Sequence, residues 1–192
     1  MNRLIYRTLL AAVLCTGLMS TAQAENPRVL MKTSLGDMEV ELFADKAPLS
    51  VTNFLRYTDE GYYNGTIFHR VINSFMIQGG GFDADMVKKQ GHAPIKNEAK
   101  NGLKNARGSI AMARTSVPHS ATSQFFINHA DNDRLDYPSF DNWGYAVFGQ
   151  VTKGMDTLDK IADVYTVTRR GMKNVPEKPI VLESVTRIGK KQ

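Results

Sequence analysis

The stretch that decides the fold is Phe68-His69-Arg70-Val71-Ile72-Asn73-Ser74-Phe75-Met76-Ile77-Gln78-Gly79-Gly80-Gly81. Two short apolar runs rich in Val, Ile and Phe meet at Asn73-Ser74, a turn-forming pair, so the segment reads as two strands and a tight connection. Three polar side chains, His69, Arg70 and Gln78, sit inside them. An Arg on a half-buried strand is expensive without a partner. Taken alone, Arg70 would be expected to snorkel to a sheet edge; its neighbours argue otherwise.

Outward from this centre, the pattern gives more short strands than helices. Residues 29–32 and 38–43 are two strands joined by Ser34-Leu35-Gly36-Asp37, a hairpin signal. Ala47-Pro48 opens a helix in which Val51, Phe54, Leu55 and Thr58 recur at helical spacing, and Gly61 ends it. Residues 82–106 are polar and irregular, a long excursion of the kind that is usually functional or mobile. Strands follow at 108–113, 124–128, 145–151 and 180–188, with a second helix from Lys153-Gly154-Met155 to about Asp163. There is no internal repeat and no linker. Such a pattern fits a closed β-barrel or a sandwich, and periodicity alone does not choose.

The first 24 residues read as a secretory signal peptide. Arg3 and Arg7 supply the positive start, Leu9 to Leu18 the apolar run, and Ala22-Gln23-Ala24 an A-x-A cleavage site that leaves Glu25 first. The run is short for a membrane span, and Leu14 before Cys15 does not suit a lipoprotein site. The leader has a bacterial composition, so the expected destination is the periplasm, with secretion from the cell as the alternative. Cleavage lowers the net charge from +5 to +3 and removes Cys15, the single cysteine of 192 residues. The domain at 25–192 must then stand on core packing without a disulfide. Its mild basicity is no nucleic-acid footprint, and no membrane association is expected after cleavage.

The central stretch, Met112-Ala113, Ser123-Gln124-Phe125-Phe126-Ile127 and Tyr145-Ala146-Val147-Phe148-Gly149, in this order and at these distances, closely resembles the cyclophilins, the cyclosporin-sensitive peptidyl-prolyl cis-trans isomerases. The resemblance runs from about Arg28 to Ile188 and is strongest to periplasmic bacterial members. It implies an eight-stranded antiparallel β-barrel, closed and capped by two α-helices, with no cofactor and no metal. It also implies that proline-containing unfolded or folding polypeptides are the partners. A monomer is the default expectation.

The resemblance puts Arg70 at the catalytic arginine position and Gln78 at the glutamine that bonds beside it. Phe75, Met76, Phe126 and Leu135 match the apolar wall of the proline pocket, and Tyr145 stands where eukaryotic members often have His. Ala113, Arg114 and Gln124 match the groove for the substrate backbone. The family commonly has Asn at Arg114 and makes that contact through main chain. Asn73-Ser74 replaces a frequent Pro-Gly. Aligning Leu135-Asp136 puts Arg134 where eukaryotic members have Trp and many bacterial ones Phe, an aromatic that helps bind cyclosporin, so weak cyclosporin binding with catalysis retained is expected. Departures at 115–121 and 136–142 bear on this alignment.

Other classes fit less well. Ser120, Ser123, His119, His129 and Asp131 suggest a hydrolase only superficially, because no G-x-S-x-G elbow is present. His69, His92, His119 and His129 have no metal-ligand spacing. Gly79-Gly80-Gly81 lacks the Gly-Lys-Ser/Thr ending of a phosphate cradle. The serious alternative is a non-catalytic chaperone or binding module that holds proline-containing segments in the same groove.

Overall fold

The computed structural model describes residues 25–189, so the expected leader and Cys15 lie outside the described residues. The strands are β1 (Arg28–Thr33), β2 (Gly36–Leu42), β3 (Thr66–Ile72), β4 (Met76–Asp83), β5 (Ser109–Met112), β6 (Phe125–Asn128), β7 (Val147–Lys153), β8 (Thr166–Arg169), β9 (Met172–Pro176) and β10 (Val181–Arg187). Eight of them close into an antiparallel barrel in the order β1-β10-β3-β4-β6-β5-β7-β2, and β8-β9 form a separate hairpin. The helices α1 (Pro48–Asp59) and α2 (Met155–Ala162) cap the barrel. Closure decides between the two architectures that the sequence pattern allowed, and it leaves the barrel itself without an open edge.

Alternation along the strands separates an interior from an outer face. Phe68, Val71, Ile77, Ile110, Met112, Phe125, Ile127 and Phe148 belong to the barrel core, together with Val51, Phe54 and Leu55 of α1 and Leu158 and Ile161 of α2. Phe54 contacts the rings of Tyr63, Phe125 and Phe148 at centroid distances of 5.0, 5.6 and 5.3 Å, within the range of favourable aromatic packing. A second, outward cluster gathers Met76, Ala111, Ala113, Phe126 and Val147. The groove forms on that outer face.

The excursion at 82–106 is tied down rather than loose. Ala47 provides no side-chain cap for α1. Glu98 of the excursion does so instead, accepting the Leu49 and Ser50 N–H groups at 2.9 and 2.8 Å and the Ser50 hydroxyl at 2.7 Å. A carboxylate at exposed helix N–H groups also complements the helix dipole. Asn97 and Asn101 donate to the Gly144 and Val147 carbonyls, and Asn105 donates to Asp136.

The β8–β9 hairpin was not among the expected strands. Its signal was there in Thr166-Val167-Thr168 and in Arg170-Gly171, where both turn residues have positive φ. The hairpin lays Val175 and Met172 against Ile67 and Met86 on the outer side of the barrel. Beside this patch His69 is 2% exposed, packs 4.6 Å from the Phe82 ring, and has an Nδ1 without a hydrogen-bond partner among the described residues.

Burial, reinforced by the charge of Arg70, pushes the His69 pKa down from 6.5 to about 4. The unfolded chain therefore takes up a proton that the folded one refuses. This contribution is intact above pH 6.5 and is lost as pH falls toward 4, by about 3 kcal/mol across the whole window. Urea unfolding between pH 6.5 and 5, above the range where carboxylates titrate, is expected to show this decline in the parent and a flatter profile in His69→Gln.

Candidate active site

A one-residue irregularity in β3 aims the site outward. Phe68 pairs with Gly79 and Arg70 with Gln78, so two residues of β3 advance against one of β4 and His69 is the extra one. This is a β-bulge. Phe68 and Val71, three residues apart, can thus both face the core, while Arg70 is turned to the groove side. Across the neighbouring strands Gln78 pairs with Phe126 and Phe126 with Ala111. Arg70, Gln78, Phe126 and Ala111 therefore form one transverse row over β3, β4, β6 and β5. At about 4.8 Å per strand, Arg70 and Phe126 stand about 10 Å apart at the backbone.

Hydrogen bonds fix the polar end of this row. Arg70 donates through one terminal nitrogen to Gln78 Oε1 at 3.3 Å, and Gln78 Nε2 donates to Gln124 Oε1 at 2.9 Å. Among the described residues Arg70 has no ion pair, so its remaining N–H groups are available to a ligand in the groove. Glycine permits the arrangement. A Cβ on Gly81 would lie 2.4 Å from the Gln124 side chain, and one on Gly80, whose φ is +77°, would meet the Phe125 and Tyr63 rings at 2.9 Å. The triple glycine thus serves close packing.

The apolar end is a cup of about 280 Å³ lined by Phe75, Met76, Phe126, Leu135, Phe140 and Tyr145, with Ala113, Arg114, Arg70 and Gln78 completing the wall. Phe126 and Tyr145 meet edge to face at 5.6 Å. The turn that carries Phe75 is held by His129, whose Nδ1 accepts the Ser74 N–H at 2.9 Å while Nε2 contacts Asp159 at 2.9 Å. Ser74 holds a left-handed φ of +55° in this anchored turn.

Nine of the ten residues expected at the site line this cup. Gln124 does not; it borders a neighbouring polar cavity of about 200 Å³ with Gly81, Lys88, Lys89 and His92, and joins the cup through Gln78. Arg134 is exposed and does not line the cup. Phe140 lines it and was not anticipated; its position in the irregular 136–142 segment gave no periodic signal. Arg114 carries a role beyond its main chain. Its side chain is 2% exposed, lies 4.4 Å over the Tyr145 ring, and bonds the Gly144 carbonyl at 3.0 Å and Asp141 at 2.5 Å. Asp141 also accepts from the Trp143 and Gly144 N–H groups. Against a desolvation that pushes it up, these bonds hold its carboxyl below the usual value.

The side chains that suggested a hydrolase are used in structure. The Ser123 hydroxyl bonds Tyr62, that of Ser120 bonds Thr115 and the Val117 carbonyl, and His119 Nδ1 accepts the Asn97 N–H. No cluster of three or more His, Cys, Asp or Glu side chains suited to a metal occurs among the described residues. No helix among them is long and apolar enough to cross a membrane.

The structure thus sets a fixed cation beside an apolar cup on the outer face of a closed barrel. The family model of the cyclophilin type peptidyl-prolyl cis-trans isomerases matches residues 28–187. A peptidyl-prolyl cis-trans isomerase of Acinetobacter baylyi is 57% identical over 175 residues, covering 91% of this chain and 93% of that one. Peptidyl-prolyl cis-trans isomerase B of Escherichia coli is 57% identical over 161 residues, covering 82% and 98%. A crystal structure of a cyclophilin type isomerase from Cryptosporidium parvum superposes with a TM-score of 0.74 at 28% identity, covering 86% of this chain and 99% of that one. A second structure of that protein, in the presence of the dipeptide Ala-Pro, gives 0.73 at 29%, covering 85% and 99%. The chain belongs to the cyclophilin-type peptidyl-prolyl cis-trans isomerases, and its reaction is the cis-trans isomerisation of X-Pro bonds.

Arg114→Ala would leave Asp141 without its ion-pair partner and the Gly144 carbonyl with Asn97 alone. A loss of about 2 kcal/mol in urea unfolding is expected, with faster proteolytic nicking between residues 136 and 144.

Proposed function

We propose that Arg70 drives the isomerisation, that Gln78 holds it in place, and that the protein serves the folding of exported polypeptides in the periplasm. The observation that carries the reading of the site is the transverse row, which sets a permanent cation, its amide partner and an apolar wall side by side. Amide resonance sets a barrier of about 18–20 kcal/mol. As the bond twists, the prolyl nitrogen loses conjugation, becomes pyramidal and gains a lone pair. A donor already aimed at that nitrogen stabilises the twisted state more than the planar one, which is the condition for catalysis. The reaction needs no nucleophile, metal or net proton transfer. The guanidinium suits the task because its charge is permanent and its N–H groups form a rigid fork.

Each remaining residue has a part in this reading. Phe75, Met76, Phe126, Leu135 and Tyr145 grip the ring, so that the carbonyl side is what swings. Ala113, Arg114 and Gln124 border the path of the substrate backbone. The leader-like start, with Ala22-Gln23-Ala24 before Glu25, supports export to the periplasm. Slow X-Pro isomerisation limits the folding of many chains there as elsewhere. The protein acts as a monomer and does not associate with the membrane once its leader is removed.

The deciding measurement is proline exchange in an Ala-Pro peptide, followed by NMR for residues 25–192 and for Arg70→Ala. Turnover is expected to fall about 100-fold or more while peptide affinity changes little. Equal loss of both would favour a binding module instead. With Arg134 at the aromatic position, cyclosporin is expected to inhibit the parent weakly; tight inhibition would overturn that assignment. Periplasmic extraction followed by N-terminal sequencing is expected to begin at Glu25, and a cytoplasmic, uncut chain would refute the export reading.

A further inference from the structure

Phe140 is the most exposed of the large apolar side chains among the described residues, at 80%, yet it lines the cup. An isolated exposed aromatic is ordinary on a loose loop. This loop is not loose. Asp141, next in the chain, is held by the buried Arg114 guanidinium and by the Trp143 and Gly144 N–H groups. The Ser139 hydroxyl donates to the Arg134 carbonyl at 2.6 Å, and the Asn142 N–H donates to the Ser139 carbonyl at 2.9 Å. Asn97 reaches across from the excursion to the Gly144 carbonyl, and the Tyr145 N–H closes the loop onto the Leu135 carbonyl at 2.8 Å. Residues on both sides of Phe140 are fixed while its ring packs against little of its own protein. The ring is displayed from a held segment, so the backbone part of its ordering cost is met before any ligand arrives.

We propose that Phe140 is a specificity-determining residue: an aromatic platform that selects a bulky apolar side chain at the substrate position following the proline. This rests on the assignment of the cup to proline. The two ends of the groove differ in chemistry. The polar chain Arg70–Gln78–Gln124, with bonds of 3.3 and 2.9 Å, attends the prolyl nitrogen and the residues before it. Phe140, exposed at the apolar mouth of the cup, has no such polar chain beside it, which leaves it to the residue that comes after. A large apolar side chain there would cover the exposed ring, whereas an alanine would leave it in water.

The test is a peptide series, Ala-Ala-Pro-Xaa with Xaa as Phe, Leu, Ala or Glu, assayed for isomerisation by NMR exchange with the parent, Phe140→Ala, Phe140→Leu and Arg70→Ala. The parent is expected to favour Phe and Leu over Ala by about tenfold in kcat/KM, which is what burying much of one aromatic ring supplies. Phe140→Ala is expected to bring that ratio close to one, through KM rather than kcat, and Phe140→Leu to keep most of it. Arg70→Ala should lower all four substrates together and leave the ratio alone. Thermal unfolding of Phe140→Ala at the parental midpoint would show that the loop still folds. A ratio unchanged in Phe140→Ala overturns the inference, as does an active parent with no apolar preference. A folded parent inactive on every peptide overturns the reading of the groove itself.

Discussion

The bulge at His69 is the constraint on which the site depends. A strand has a period of two, so one added residue exchanges its inner and outer faces from that point on. Phe68 and Val71 can then both reach the core, and Arg70 between them is left on the outer surface next to Gln78. Without the bulge, the guanidinium would share the face of Phe68 and point into the barrel, where its charge could not be solvated. The extra residue is itself buried and held neutral, and the β8–β9 hairpin packs over the adjoining outer surface at Ile67. Core packing, surface chemistry and the accessory hairpin thus meet within a few residues of β3.

Rigidity in the groove comes from side chains that bond to backbone at long range. Glu98 caps α1, Asn97 and Asn101 hold the strip before β7, His129 fixes the turn before Phe75, and Arg114 secures the segment that carries Phe140. Each of these contacts joins parts of the chain that are distant in sequence. A catalyst that acts by placing a donor against a twisting bond gains from such fixed positions, because no reorganisation is needed as the lone pair develops.

Much of this was legible in the sequence, and the exceptions have physical causes. Alternating apolar residues and turn pairs located all eight barrel strands, and the spacing of Val51, Phe54, Leu55 and Thr58 located α1. Closure of the barrel was not legible, because strand patterns carry no information on which edges pair; family resemblance supplied it. The β8–β9 hairpin escaped because its residues are only partly buried, so their alternation is weak. The part played by the Arg114 side chain escaped for another reason. A guanidinium under an aromatic ring and between two loop groups is a tertiary contact, and Arg at that position looks like any surface cation in the sequence. Phe140 was invisible likewise, since an aromatic within an irregular run has no periodic neighbours to mark its side.

The long segment between β4 and β5 has a consequence for the company this protein keeps. Its path is set by amides and a carboxylate bonded to backbone, with Ile95 and Ala99 among its few inward apolar contacts. Order obtained through polar bonds adds little greasy surface to the outside of the molecule. A protein that takes up proline-containing chains needs a shape that is firm without being sticky. Here the rim is firm through polar bonds, and the cup with Phe140 at its mouth gives such chains an apolar hold.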